Sequence, residues 1–274
     1  MHTKIILPAV AILGFTGIAI QTSAQPSGYA SSVLSYNSGS GFAAGYTNAS
    51  SALGEPSRIT PGQFGGPVDP FSPPYLSEQL VSVGTGGHLT IQLDMPALNN
   101  PANPFGIDFM IFGNNGFVIT NGDFSGGGIT DGSLFGANSG ETVVSVSTDG
   151  VTYYQLTPSL TPVVDGPFPT DGSGDFHRAV NPALNKDSFS GKNLSQIREL
   201  YQGSGGGAAF DIAKAQNSQG QLLMLDSIQF VRIDVLSGVA EIDGIAVAVP
   251  EPGTWALLVT GLAGIVLLRR RKGT

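Results

Sequence analysis

The sequence predicts an all-β chain: one jelly-roll or β-sandwich ectodomain with a single short helical insertion, set between an apolar leader and a short apolar C-terminal helix. Three observations lead there. Apolar residues alternate at period two in several short runs, as half-buried strands require. Gly, Asp and Pro, the residues of tight turns, separate those runs. The 274 residues include 39 Gly and 18 Pro, which leaves few stretches fit for a long helix. Together these two types make about a fifth of the chain, below the roughly 25–30% that marks low-complexity disorder. A packed core is therefore possible.

Taken in order, Val33-Leu34-Ser35-Tyr36 reads as a first strand within a Ser-, Gly-, Ala- and Pro-rich stretch from Gln25 to Gln79. Phe42, Tyr46, Phe64, Phe71 and Tyr75 are many aromatics for a linker, so the stretch is read as loop-rich but folded. Leu89-Thr90-Ile91-Gln92-Leu93 alternates as a half-buried strand does. Ile107 to Phe112 is nearly continuous in apolar residues, which predicts a strand covered on both faces. Glu141–Ser147 and Val151–Leu156 flank Thr148-Asp149-Gly150, and Asp-Gly between β-rich runs predicts a hairpin. Only Leu194–Gln202 reads as helix, with Leu194, Ile197, Leu200 and Tyr201 at spacings that share a face. Ile228–Val235 and Ala240–Val249 are the last strands. No repeat recurs at a fixed period.

The two ends read as addresses. Met1-His2-Thr3-Lys4, an apolar run from Ile5 to Ile20 and the small residues before Ala24 form a secretory signal peptide over residues 1–24, cleaved between Ala24 and Gln25. The ectodomain then spans 25–248. At 249–274, Val249-Pro250-Glu251-Pro252 precedes an apolar stretch from Trp255 to Leu268, and Arg269, Arg270, Arg271 and Lys272 follow. At 1.5 Å per residue that stretch covers about 21 Å, short of the ~30 Å hydrocarbon core. The four cations hold its far end in the cytoplasm, so everything upstream faces outward. Trp255 stands where an interfacial aromatic would, and Pro250 and Pro252 keep the preceding residues extended, as a protease cleft requires. The competing reading is an ordinary C-terminal anchor.

This tripartite end resembles the PEP-CTERM sorting signal of outer-membrane bacteria that make exopolysaccharide. The resemblance implies processing by an exosortase, a transient stay in the inner membrane, and release or transfer of the ectodomain to the surface or matrix. The middle resembles a group of PEP-CTERM surface proteins and, more remotely, galactose-binding-like jelly rolls that include discoidin-type domains. Ala52-Leu53-Gly54-Glu55-Pro56, Ser82 to Ile91, Asp108 to Phe112 and Val146 to Gly150 carry it first. Phe210-Asp211-Ile212-Ala213, Val231-Arg232-Ile233 and Glu241 to Ile245 follow in order. The sequence departs at Gly113, where those relatives often carry Glu, and in the extra Leu194–Gln202 segment. The resemblance implies fold and address, not chemistry.

Charge narrows the classes. The chain is −8 overall; without its two ends, 7 basic and 19 acidic residues remain, a net of about −12. Binding nucleic acid through phosphate neutralisation is excluded as the main role. The absence of Cys removes disulfides, thiol catalysis and Cys-based zinc sites. His88 and His177 lack the spacing of a zinc hydrolase, and no Gly-x-Ser-x-Gly elbow occurs. Gly203-Ser204-Gly205-Gly206-Gly207-Ala208 loosely matches a dinucleotide fingerprint but lacks its strand–helix context, so it reads as a flexible loop.

Metal binding is the remaining candidate chemistry. Asp171-Gly172-Ser173-Gly174-Asp175 places oxygen ligands as the start of a calcium loop does, although position twelve is Pro182 rather than Glu. A polar turn is the alternative. Asp211 and Asp243 form a second candidate set, because jelly rolls of the resembling kind often hold a structural calcium ion beside the last strand. Asp243 reads equally as an edge-strand charge or a turn former. Tyr153, Tyr154, Tyr201 and Phe176 are candidate sugar-stacking aromatics, with Tyr153 and Tyr154 pointing to opposite faces. No catalytic residue set emerges. The expectation is a non-enzymatic surface or matrix protein associated with exopolysaccharide; the alternatives are a calcium-dependent carbohydrate-binding module and a secreted glycan hydrolase.

Overall fold

Period-two alternation decides which side chains meet. The computed structural model describes residues 26–136, 140–157, 161 and 163–249. In chain order the strands of the two main sheets are β1 (Ala30–Asn37), β2 (Val81–Gly84), β3 (His88–Leu98), β4 (Phe109–Gly113) and β5 (Thr142–Ser147). They continue as β6 (Tyr154–Leu156), β7 (Ala208–Phe210), β8 (Ala215–Gln216), β9 (Ser227–Val235) and β10 (Val239–Val247). One sheet runs β1-β3-β9-β5-β6-β8 and the other β7-β4-β10-β2. Pairing is antiparallel throughout both.

The sheets stack as an all-β sandwich. Leu89, Ile91 and Leu93 of β3 and Val231, Ile233 and Val235 of β9 bury their odd-numbered face in one cluster with Val81, Val83, Phe109, Ile111 and Ile242 of the opposite sheet. Each such side chain contributes about 1.5–3 kcal/mol on burial. β10 changes register against β4 between Ile242 and Gly244. That bulge keeps both Ile242 and Ile245 in the core and leaves Asp243 between them as the extra residue.

As its composition predicts, β4 is covered on both faces, and all five of its residues are buried. Phe109 and Ile111 face the six-stranded sheet, while Met110 and Phe112 pack beneath Phe176 and Ala179. The Phe112 and Phe176 rings meet edge to face at 5.0 Å. A third layer extends this cover around Phe117, Phe168, Phe189, Ile197 and Tyr201. Its helices are α1 (Lys186–Phe189) and α2 (Leu194–Tyr201). α2 occupies the stretch read as helix. Asn193 and Gln196 form a reciprocal capping box at its start, and Gln202, at φ 52°, ends it in the left-handed region.

Three local expectations change. β5 and β6 do form a hairpin, but β6 begins only at Tyr154, because Asp149 Oδ1 takes the N–H groups of Val151 and Thr152 into the turn. β2 and β7 escape the sequence reading: Val81–Gly84 is buried throughout and Ala208–Phe210 is too short to show a period. Gly203–Gly207 is a loop that runs into β7 at Ala208, yet Ser204 to Gly207 is buried rather than free. Gly205 N–H donates to Asp175 O and Gly207 N–H to Phe168 O, and a Cβ on Gly206 would stand 2.3 Å from Pro169 O. Among the described residues, no helix is long and apolar enough to cross a membrane. The leader with Ala24 and Gln25, and the tail from Pro250 through Glu251, Pro252, Trp255 and Leu268 to Lys272, lie outside the described residues.

Candidate functional site

The four aspartates proposed as metal ligands do not converge. Among the described residues no group of three or more His, Asp or Glu side chains surrounds one point. In the Asp171–Asp175 turn, arginines fill the place a cation would take. Asp171 is 1% exposed and pairs in two-pronged fashion with Arg198, Oδ2 to Nε at 2.7 Å and Oδ1 to Nη2 at 3.0 Å. Arg58 donates from Nη1 to Gly172 O and Gly174 O and stacks 4.4 Å over the Phe176 ring. Asp175 Oδ1 accepts from His177 N–H. Asp211 caps the turn Ile212–Lys214 through Ala213 N–H and lies 3.6 Å from the Lys214 ammonium. Asp243 is neither an edge charge nor a turn former. It is buried at the β10 bulge, accepting from Ser57 N–H and Oγ–H at 2.7 Å each. Burial pushes its pKa up to about 7 against those two hydrogen bonds.

Two further acids, Asp108 and Glu241, lie in the segments of resemblance but carry no local mark of a site. Asp108 is 1% exposed and accepts from Asn100 N–H, Asn103 Nδ2 and Ile212 N–H; burial still raises its pKa. Glu241 accepts from Asn114 Nδ2 at 2.5 Å, and burial raises its pKa as well. These contacts tie loops to β4 and β10.

The two ends of the folded body meet. Ser27 N–H and Oγ–H and Gly28 N–H all donate to the Asp94 carboxylate, at 2.5, 2.6 and 2.9 Å. Burial opposes ionisation there, but these donors outweigh it and hold the pKa below the ordinary value. Val247 N–H donates to Gly28 O, and Val249 N–H to His177 O. His177 Nδ1 lies 2.8 Å from Val247 O, with its ring 4.7 Å from that of Tyr29. So His177 clasps the last strand to the first residues, a structural duty. The clasp begins just after the predicted cleavage point and ends immediately before Pro250.

The aromatics read from the sequence as a sugar platform are largely buried. Tyr201 and Phe176 are buried in the third layer, and Tyr154 packs against the core. The Tyr153 hydroxyl is buried with no hydrogen-bond partner among the described residues. Exposed rings gather elsewhere, around a groove of about 420 Å³ beside the ribbon of Ile59–Thr60 and Gly66–Pro67. Phe64 is 86% exposed, Phe135 45% and Tyr75 43%, and half-buried Phe71 also lines it. Tyr75 Oη donates to Phe64 O, and Tyr46 Oη to Tyr75 O, which fixes this rim. Thr60, Asp69 and Ser72 are polar residues of the lining. Asp69 Oδ1 accepts from Phe71 N–H and Ser72 N–H, while burial raises its pKa. Phe64 and Tyr75 are visible in the sequence as aromatics in a Gly/Pro-rich stretch; that Phe135 joins them is a tertiary fact.

A family model for the PEP-CTERM protein-sorting motif matches residues 248–272. Comparison with curated proteins finds no match. The motif starts where β10 leaves the clasp formed by Gly28 and His177. The chain thus ends in the sorting signal of an exported, exosortase-processed surface protein, whose precursor is anchored in the membrane.

Proposed function

We propose that the protein is a non-enzymatic component of the cell surface or extracellular matrix of an exopolysaccharide-producing bacterium, with a galactose-binding-like sandwich as its exported body. The observation that carries this reading is the placement of the sorting motif. Residues 248–272 match it, and the last backbone hydrogen bond of the body, Val249 N–H to His177 O, lies at its first residues. An exosortase acting beyond that bond releases a body whose clasp is untouched. The signal peptide read at residues 1–24 supports export.

Glu251→Ala tests the sorting half. The full-length precursor should accumulate in the inner membrane, and release of the body should fall; unchanged release would refute exosortase handling. The matrix half is tested by sedimentation of the sorted protein with its own cell's secreted polymer. Absence of the protein from the polymer pellet would refute that half.

A further inference from the structure

The geometry points to the groove between Thr60, Phe64, Asp69, Phe71, Tyr75 and Phe135 as a binding site for a neutral polysaccharide, stacked on its exposed rings. This deepens the matrix reading above and rests on it. Isolated apolar side chains at a surface are ordinary. Here three rings at least two-fifths exposed border one depression, and Ile59, 65% exposed, stands on the adjoining ribbon. Burying a ring of this size is worth about 1.5–3 kcal/mol, which Phe64 at 86% exposure forgoes in the free protein. Its backbone, by contrast, is held: Phe64 O accepts from Tyr75 Oη at 3.1 Å. A fixed backbone presenting an unburied ring is a preorganised contact.

The polar lining selects the ligand. The volume, about 420 Å³, lies within the roughly 300–1,000 Å³ of small-molecule sites, which combine apolar walls with few polar groups. Both backbone donors to Asp69 go to Oδ1, and Oδ2 takes no hydrogen bond among the described residues. Thr60, 4% exposed, forms part of the wall with its hydroxyl buried, so the acceptor open to a ligand is Asp69 Oδ2. Such a site calls for a ligand with hydroxyl donors and apolar C–H faces, which a hexopyranose ring supplies. Among the described residues of the lining Asp69 is the only charged one, and the body carries a large negative charge, so an anionic polymer is repelled. The ligand is therefore a neutral glycan.

The test uses the full-length chain in a zwitterionic, sugar-free detergent. It is titrated calorimetrically with neutral hexasaccharides (β-1,4-, β-1,3- and α-1,4-linked glucans, a β-1,4-mannan) and with an oligogalacturonate. At least one neutral oligosaccharide should bind, and Phe64→Ala should weaken it about tenfold or more with an unchanged circular dichroism spectrum. Asp69→Asn, which keeps the Oδ1 acceptor of the turn, should weaken it severalfold. Binding by none of the neutral set, preference for the galacturonate, or equal binding by Phe64→Ala would each overturn the proposal. Cosedimentation with the native polymer separates the two claims. Retention of wild type and Phe64→Ala alike overturns the groove and leaves the matrix role standing. Phe64-dependent oligosaccharide binding without retention on the polymer supports the groove and overturns the matrix role.

Discussion

Asp243 should make the fold lose stability as pH rises toward neutrality. Its carboxyl is 3% exposed at the β10 bulge, with Ser57 N–H and Oγ–H as donors. Burial lifts its pKa from 3.8 to about 7, the Ser57 hydrogen bonds offsetting only part of that cost. A carboxyl whose pKa is raised by folding binds its proton more tightly in the native state. Its contribution is therefore fully present below about pH 4, declines through the interval to about 7, and is gone above it. Three pH units at 1.36 kcal/mol each make roughly 4 kcal/mol, of which about 3 fall between pH 5 and pH 8. Asp243→Asn removes the titration while preserving shape: Oδ1 accepts from Ser57 N–H, and the amide donates to Ser57 Oγ once that hydroxyl turns. Urea unfolding of both proteins at about pH 5 and about pH 8 isolates the term, since every other group is common to the pair. The variant should gain about 3 kcal/mol relative to wild type between those conditions. Parallel pH profiles for the two proteins would refute the reasoning.

Other residues give further expectations. Thr90 in β3 is 3% exposed with an unpartnered hydroxyl; Thr90→Val should raise stability by about 1 kcal/mol, and a lower denaturation midpoint would contradict this. Arg198→Met strips the 1%-exposed Asp171 of its charge partner and should cost roughly 2–4 kcal/mol. Adding Asp171→Asn should recover part of that loss in the same melt, and no recovery would sink the explanation. A Cβ at Gly113 would stand 2.6 Å from Asp165 Oδ1 and 2.8 Å from Glu241 O. Gly113→Ala should thus destabilise by about 1–3 kcal/mol, measured as a fall in melting temperature.

Some of the molecule is written in short stretches of chain. Period-two alternation is a local code, so β3, β5 and β9 can be read without knowing their partners. So can α2, because Asn193, Gln196 and the 3–4 spacing of its apolar residues act within a few residues of one another. The ends are equally local: a greasy run, two prolines around an acid and a cationic tail mean the same in any fold. Carboxylates behave differently. Asp171, Asp175, Asp211 and Asp243 look alike in sequence, yet each is committed by neighbours far along the chain or by its own turn. Arg198 and Arg58 take the acceptors of one loop, and Ser57 holds an acid 186 positions away. Likewise Tyr201 and Phe176 share the composition of a sugar platform, but the third layer buries them while Phe64, Tyr75 and Phe135 are left in water. Sequence alone determined the longer strands, the short helix α2 and the address, because backbone geometry and membrane partition are set by neighbouring residues. Only tertiary packing decided which acids are neutralised and which rings stay exposed, because desolvation and charge pairing depend on distance in space.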